Sequence, residues 1–125
     1  MKYAEHIDQL RYYEQDSGPN ITYQFVVSPG TMGLMSAGRV RLSGPTTKAR
    51  DRHAGWDQVY IVLCGQGTIV VAEQRHRVGP GYVVRIPRNT WHHVELNAGD
   101  TLDYIYVNAF QSEQALAELI GASSR

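Results

Sequence analysis

The chain has one cysteine, Cys64, in 125 residues, so no intramolecular disulfide can staple it. Its core must come from apolar burial alone, which a chain of this length can supply as one domain spanning 1–125. A reducing compartment is the matching expectation. Long apolar runs are missing too. No stretch approaches the roughly 20 apolar residues of a membrane-spanning helix. The segment from Met1 to Glu14 holds no apolar run of signal-peptide length. The expectation is a soluble, cytoplasmic protein without a membrane partner. An excess of either charge is also lacking: Lys plus Arg and Asp plus Glu come to 12 each. Basic residues form no long run, so nucleic acid is not an expected partner. No internal repeat or low-complexity stretch stands out.

What is present is twelve glycines, eight tyrosines and many valines. That composition suits strands joined by tight turns. In residues 1–20, Ala4 to Glu14 reads either as a short helix, with Ile7, Leu10 and Tyr13 at near-helical spacing, or as an extended arm. From Ile21 to Phe110 the pattern is strand and turn. Ile21–Val27 ends at Ser28-Pro29-Gly30. Leu34–Leu42 ends at Ser43-Gly44-Pro45. Thr46–His53 is polar and extended. Gln58–Leu63 turns at Gly65-Gln66-Gly67 into Thr68–Ala72. Tyr82–Ile86 follows Gly79-Pro80-Gly81, Trp91–Leu96 follows Pro87-Arg88-Asn89, and Leu102–Phe110 is last. Ser112 is placed to cap a helix over Glu113–Ile120, with Gly121 as its stop. Short strands at this spacing predict an all-β sandwich or small barrel with a short C-terminal helix over 112–121. Val59–Leu63 is apolar at nearly every position, so both faces should be covered, one by a second sheet or a second subunit. A homodimer is therefore expected.

Two stretches carry a resemblance. Asp51 to Gly67, DRHAGWDQVYIVLCGQG, resembles the first cupin motif: His-x-His, three or four residues, Glu, six residues, Gly. Gly81 to Asn97, GYVVRIPRNTWHHVELN, resembles the second: Gly, five residues, Pro-x-Gly, two residues, His, three residues, Asn. His53 takes the second motif histidine, Gln58 the glutamate position and Asp51 the first histidine position. In the second motif Gly81, Pro87 and His92 fit. Asn89 replaces the glycine, and Asn97 lies one residue past the motif asparagine. A shifted frame would put Asp57 at the glutamate position, but its glycine would then fall on Cys64. The resemblance implies a cupin-type double-stranded β-helix, or jelly-roll barrel, around a small-molecule pocket.

It also implies a metal site at Asp51, His53, Gln58 and His92. Asp51 and His53 are two apart and share a face if the segment is a strand. His92, from a distant hairpin, can come alongside in a closed barrel. Two imidazoles and one carboxylate suit one divalent transition metal, with iron, nickel, manganese and zinc all open. The usual cupin set of three histidines and one glutamate has one negative charge, and so has this set, with the carboxylate moved to position 51. Gln58 is a further candidate for a catalytic role, through a bound water or substrate. Tyr60 alternates with Gln58 and reads either as an acid/base group or as barrel filling. Tyr104 and Tyr106 share a face and are candidate pocket walls. Arg39 and Arg41 share a face and, with Arg85, are candidates to bind an anionic substrate. His93, His76, His6, Trp91 and Cys64 read as packing or surface residues. Two functions follow. One is a metal-dependent enzyme on an oxygenated small molecule. The resemblance implies dioxygenation, isomerisation, lyase chemistry, uronate ring opening or polyketide cyclisation. The other is a non-catalytic small-molecule-binding module, motivated by the missing first histidine and glutamate.

Overall fold

Turn chemistry and β-branched runs divide the chain as the pattern predicts, with exceptions that have local causes. The computed structural model describes residues 2–13 and 20–123. Among them the strands are β1 (Tyr12–Tyr13), β2 (Ile21–Met32), β3 (Met35–Ser43), β4 (Thr46–Thr47), β5 (Trp56–Gly65), β6 (Gly67–Val71), β7 (Gln74–Val78), β8 (Val83–Ile86), β9 (His92–Leu96) and β10 (Thr101–Phe110). A single helix, α1 (Glu113–Ser123), follows. Gly65, between β5 and β6, has φ of 84° and lies against the Thr101 carbonyl, where a Cβ would collide. Only glycine takes that position without strain.

Several expectations need correcting. Ser28-Pro29-Gly30 does not end β2, which shifts register and runs on to Met32 before reversing at Gly33. The polar segment Thr46–His53 is a strand only over Thr46–Thr47, with one further bridge between Asp51 and His92. β7 was not foreseen as a strand. Its hairpin turns on Ala72 and Glu73, both at positive φ, without the Gly or Asn that signals such a turn. Gly121 does not stop α1, which continues to Ser123. Its start is as expected: Ser112 Oγ accepts the Ala115 N–H at 3.1 Å. The N-terminal segment is an extended arm with one 3-10 turn, Ile7–Gln9, and Glu14 lies outside the described residues.

Two antiparallel sheets face each other. One has the order β1-β2-β3-β10-β5-β8, the other β4-β9-β6-β7. Their inner faces share an apolar core that includes Val40, Leu42, Val62, Ile69, Val94 and Leu102. Burying each such side chain contributes about 1.5–3 kcal/mol. Together the sheets form the jelly roll.

Register places polar groups in rows across the larger sheet. Ser36 stands opposite Asn108, Asn108 opposite Gln58, and Gln58 opposite Ile86. The next row is Phe25, Gly38, Tyr106, Tyr60 and Val84. Gly38 is required there, because a Cβ would stand 2.5 Å from the Tyr106 ring. In the first row Gln58 Nε2 donates to Asn108 Oδ1 at 2.9 Å, and Asn108 Nδ2 donates to Ser36 Oγ at 3.1 Å. All three side chains are buried.

The opposite face of β3 explains the arm. Arg39 is buried and forks onto Asp103, at 2.9 and 2.7 Å, and reaches Asp8 at 3.1 Å. Gln24 beside it donates to the carbonyls of Ile7 and Leu10. The arm is thus clipped to the outside of β2 and β3, and β1 extends the sheet edge, with Tyr13 opposite Tyr23.

On the outer side of β5 and β8, Ile61, Leu63 and Val83 are exposed. Among the described residues no second sheet covers this face.

Arg39→Ala leaves the Asp103 carboxylate without its fork. The expected loss is about 2–4 kcal/mol in urea unfolding, and Arg39→Lys restores little of it because an ammonium cannot bond both oxygens in parallel. Asn108→Ala strands the Gln58 amide. It should lower stability by about 1–3 kcal/mol with an unchanged denaturant slope.

Candidate functional site

Between the sheets lies a cavity of about 1060 Å³. The inward rows of the larger sheet supply one wall, and β9 with the segment from Thr47 to His53 supplies the other. Leu119 of α1 borders it as well.

His53 and His92 meet there, with ring centroids 5.1 Å apart. Two features fix His53. Its ring stacks on Trp56 at 4.4 Å, and its carbonyl accepts the Asn89 N–H at 2.8 Å. Asn89 has φ of 63°, in the left-handed region, which explains why asparagine can stand where the cupin motif has glycine. His92 is 4% exposed, and its Nδ1 lies 2.9 Å from the Thr90 carbonyl. That contact fixes the Nδ1–H tautomer and leaves the Nε2 lone pair free. Burial holds both imidazoles below their ordinary pKa, so both are neutral near pH 7. The Asp51 carboxylate opposes that shift at both rings but does not reverse it.

Asp51 exchanges two backbone hydrogen bonds with His92, each 2.9 Å. Its side chain is 63% exposed, with Oδ2 3.7 Å from His53 Nε2 and Oδ1 accepting the Arg52 N–H. The carboxylate therefore stands at the rim rather than the floor. Gln58 lines the cavity, and its Oε1 is buried with no hydrogen-bond partner. Asp57, the alternative to Gln58, is exposed and accepts the Arg88 N–H outside the pocket. Among the described residues, no three His, Cys, Asp or Glu side chains gather closely enough to hold an ion by themselves. The donors that do converge are two neutral imidazoles, a carboxylate beside one of them, and an unpartnered amide oxygen. By type this set fits a divalent metal, with His53 and His92 as its centre and Asp51 and Gln58 as the oxygen donors.

Tyr60, Tyr104 and Tyr106 also line the cavity. Burial raises the pKa of each phenol, so all three are neutral donors. The Tyr60 ring lies edge-on to His92 at 6.3 Å and against Tyr104 at 4.5 Å. Tyr104 Oη leans toward Tyr60 without completing a hydrogen bond.

Neither Arg39 nor Arg41 lines the cavity. Both lie on the other face of β3, where Arg39 clips the arm and Arg41 is half exposed, 3.9 Å from Asp103. Arg85 is exposed on β8. The expectation of inward arginines fails because strand alternation puts Val40 and Leu42, not 39 and 41, on the core side. His93, expected on the outer face, is among the residues that line the cavity and meets Glu95 at 3.0 Å, whereas Trp91 lies beneath Arg50 and Arg52, and His6, His76 and Cys64 are exposed.

Sequence reasoning passed over Lys48, Trp56, Tyr23, Phe25 and Tyr13, all of which line the cavity. Tyr23 and Phe25 share strand parity and were within reach of the alternation rule. Tyr13 had no such signal, since only the arm's docking turns it inward.

Structures with the same fold act in varied ways. The polyketide cyclase RemF from Streptomyces resistomycificus superposes with a TM-score of 0.76 at 19% identity, over 93% of this chain and 91% of that one. A predicted oxalate decarboxylase from Thermotoga maritima gives 0.75 at 14% identity, covering 84% and 96%. KdgF from Halomonas sp. gives 0.68 at 21% identity, covering 86% and 94%. At these identities the likeness speaks for the fold. Among curated proteins no sequence matches. Residues 38–110 match the family described as Cupin domain, and on that match the chain belongs to the cupin family.

Proposed function

We propose that the chain is a metal-dependent cupin enzyme acting on an oxygenated small molecule. The observation that carries this reading is the pair of neutral imidazoles 5.1 Å apart, His92 buried and His53 partly so, in a cavity that an unpartnered Gln58 amide oxygen also lines. His53, His92, Asp51 and Gln58 would hold the ion, which would supply Lewis acidity toward a substrate carbonyl or hydroxyl oxygen. The protein's own groups do the rest. Thr90 and Trp56 hold the two imidazoles in place. Tyr60, a neutral phenol near His92, is placed to donate a hydrogen bond to a substrate oxygen as charge develops there. The varied names of the structural neighbours are consistent with such a site, and cyclase, lyase and isomerase reactions can each use an ion that polarises a substrate oxygen.

One observation favours a second reading, a binding module without turnover: Asp51 stands at the rim, with one oxygen already accepting the Arg52 N–H. Metal analysis of protein purified without chelator separates the two. Near-stoichiometric divalent metal, lost in His53→Ala and His92→Ala while both variants keep the wild-type circular dichroism, is the expected result. Wild-type protein that stays metal-free after incubation with iron, nickel, manganese and zinc salts removes the enzyme reading.

We also propose a homodimer through the exposed Ile61, Leu63 and Val83 face. Light scattering should give twice the 14.0 kDa chain mass. Ile61→Lys with Val83→Lys should return the monomer mass.

A further inference from the structure

The cavity walls say more about the ligand than the floor does. Tyr13 of the arm stacks on Phe25 at 4.2 Å, with the ring planes 27° apart, and packs against Tyr23 at 5.2 Å. Its hydroxyl bonds Tyr106 Oη at 2.7 Å, so the arm reaches β10, past β2 and β3. Tyr60 and Tyr104 continue the aromatic surface inward, and Trp56 backs His53. Seven of the lining residues are Phe, Tyr or Trp. Apart from the histidines, only Lys48 and Asp51 among the lining residues are ionisable side chains that carry charge near pH 7.

Several polar atoms inside these walls are unmet. Tyr23 Oη, Trp56 Nε1, Gln58 Oε1 and Tyr104 Oη are buried without a hydrogen-bond partner. All four belong to residues that line the cavity. Unpartnered buried groups of this kind are uncommon in folded proteins and call for a partner. The polar atoms are donors and acceptors of neutral type, set among ring faces. Among them Lys48 holds its ammonium 5.3 Å from the Tyr23 ring centre, near enough to act on both imidazoles.

A polyhydroxylated, non-planar acid would need several charged or amide side chains to replace its hydration. Of the amides in the cavity, Asn108 and the Gln58 Nε2 are already bonded to each other and to Ser36, and the arginines lie outside it. A small dicarboxylate would leave most of the volume and most of the ring faces uncovered.

We infer that the pocket takes a flat, fused-ring aromatic compound with hydroxyl or carbonyl groups on its edge and an acidic group directed to Lys48. This names the substrate class of the site proposed above and rests on that reading. Tyr13, held by Phe25 on one side, and the rings of Tyr60 and Tyr106 cover its faces, the polar groups of the wall take its edge oxygens, and Lys48 pairs with the acid. Tyr13 is then a specificity residue supplied by the arm.

Calorimetric titration of the protein as purified tests this with 6-hydroxy-2-naphthoate, whose hydroxyl and carboxylate lie at opposite ends and cannot chelate one ion. D-Galacturonate and trans-4-hydroxycyclohexanecarboxylate are the non-aromatic acids for comparison. The naphthoate should bind about tenfold more tightly than either. Tyr13→Ala and Phe25→Ala should each weaken it by about fivefold or more, whereas Tyr106→Phe, which keeps the ring, should weaken it less. Lys48→Met should weaken the naphthoate and leave 2,6-dihydroxynaphthalene unchanged. Equal or tighter binding of galacturonate by metal-loaded protein overturns the aromatic class while the site reading stands. Failure to bind both metal and every probe overturns both.

Discussion

Two backbone hydrogen bonds, from Asp51 N to His92 O and from His92 N to Asp51 O, hold this site together. They fasten a mostly irregular segment to the edge of a regular strand. Together with the β4–β9 pairing and the Lys48 N–H bond to the Val94 carbonyl at 2.9 Å, they keep the piece of chain carrying Lys48, Asp51 and His53 beside β9. With them, two imidazoles separated by 38 positions in sequence stand in contact across the cavity. The Asn89 N–H bond to the His53 carbonyl is the second fastening, and it depends on a left-handed residue. Both fastenings are made by the main chain. Side chains at the site are therefore free to differ from the usual cupin set while the backbone frame persists.

The sheet opposite is organised by register. Direct opposition of Gln58 to Asn108 and of Asn108 to Ser36 turns three isolated polar residues into one buried row. A slip of one residue would send that row outward and bring Arg39 and Asp103 in. The ion pair on the outer face and the amide row on the inner face thus specify the same register from opposite sides. The arm joins this arrangement through Arg39, so a clip on the outer surface governs which residue closes the pocket.

Much of this was legible in the sequence, and the rest was not, for identifiable reasons. The spacing from His53 through Gln58 to Gly65, and from Gly81 through Pro87 to His92, was enough to place the jelly roll and to bring the two histidines inside. Asn89 at a glycine position was readable as a departure, and its positive φ shows why the departure is tolerated. The arginines were misplaced because facing direction along Leu34–Leu42 needs the register with β10, which no local pattern supplies. β7 escaped notice because Ala72 and Glu73 adopt a turn that their chemistry does not advertise. Asp51 proved to be a rim residue because the segment before His53 is not a regular strand, so the two-residue spacing brought its carboxylate within 3.7 Å of His53 but left it 63% exposed. Tyr13 lies furthest from what a sequence shows, since its role exists only after the arm has docked.

That docking has a consequence for how such a pocket diversifies. Most of the cavity is built from long strands whose pairing tolerates little change. One wall hangs on a two-residue strand near the beginning of the chain. Substitutions there would reshape that wall while leaving the pairing of the long strands in place.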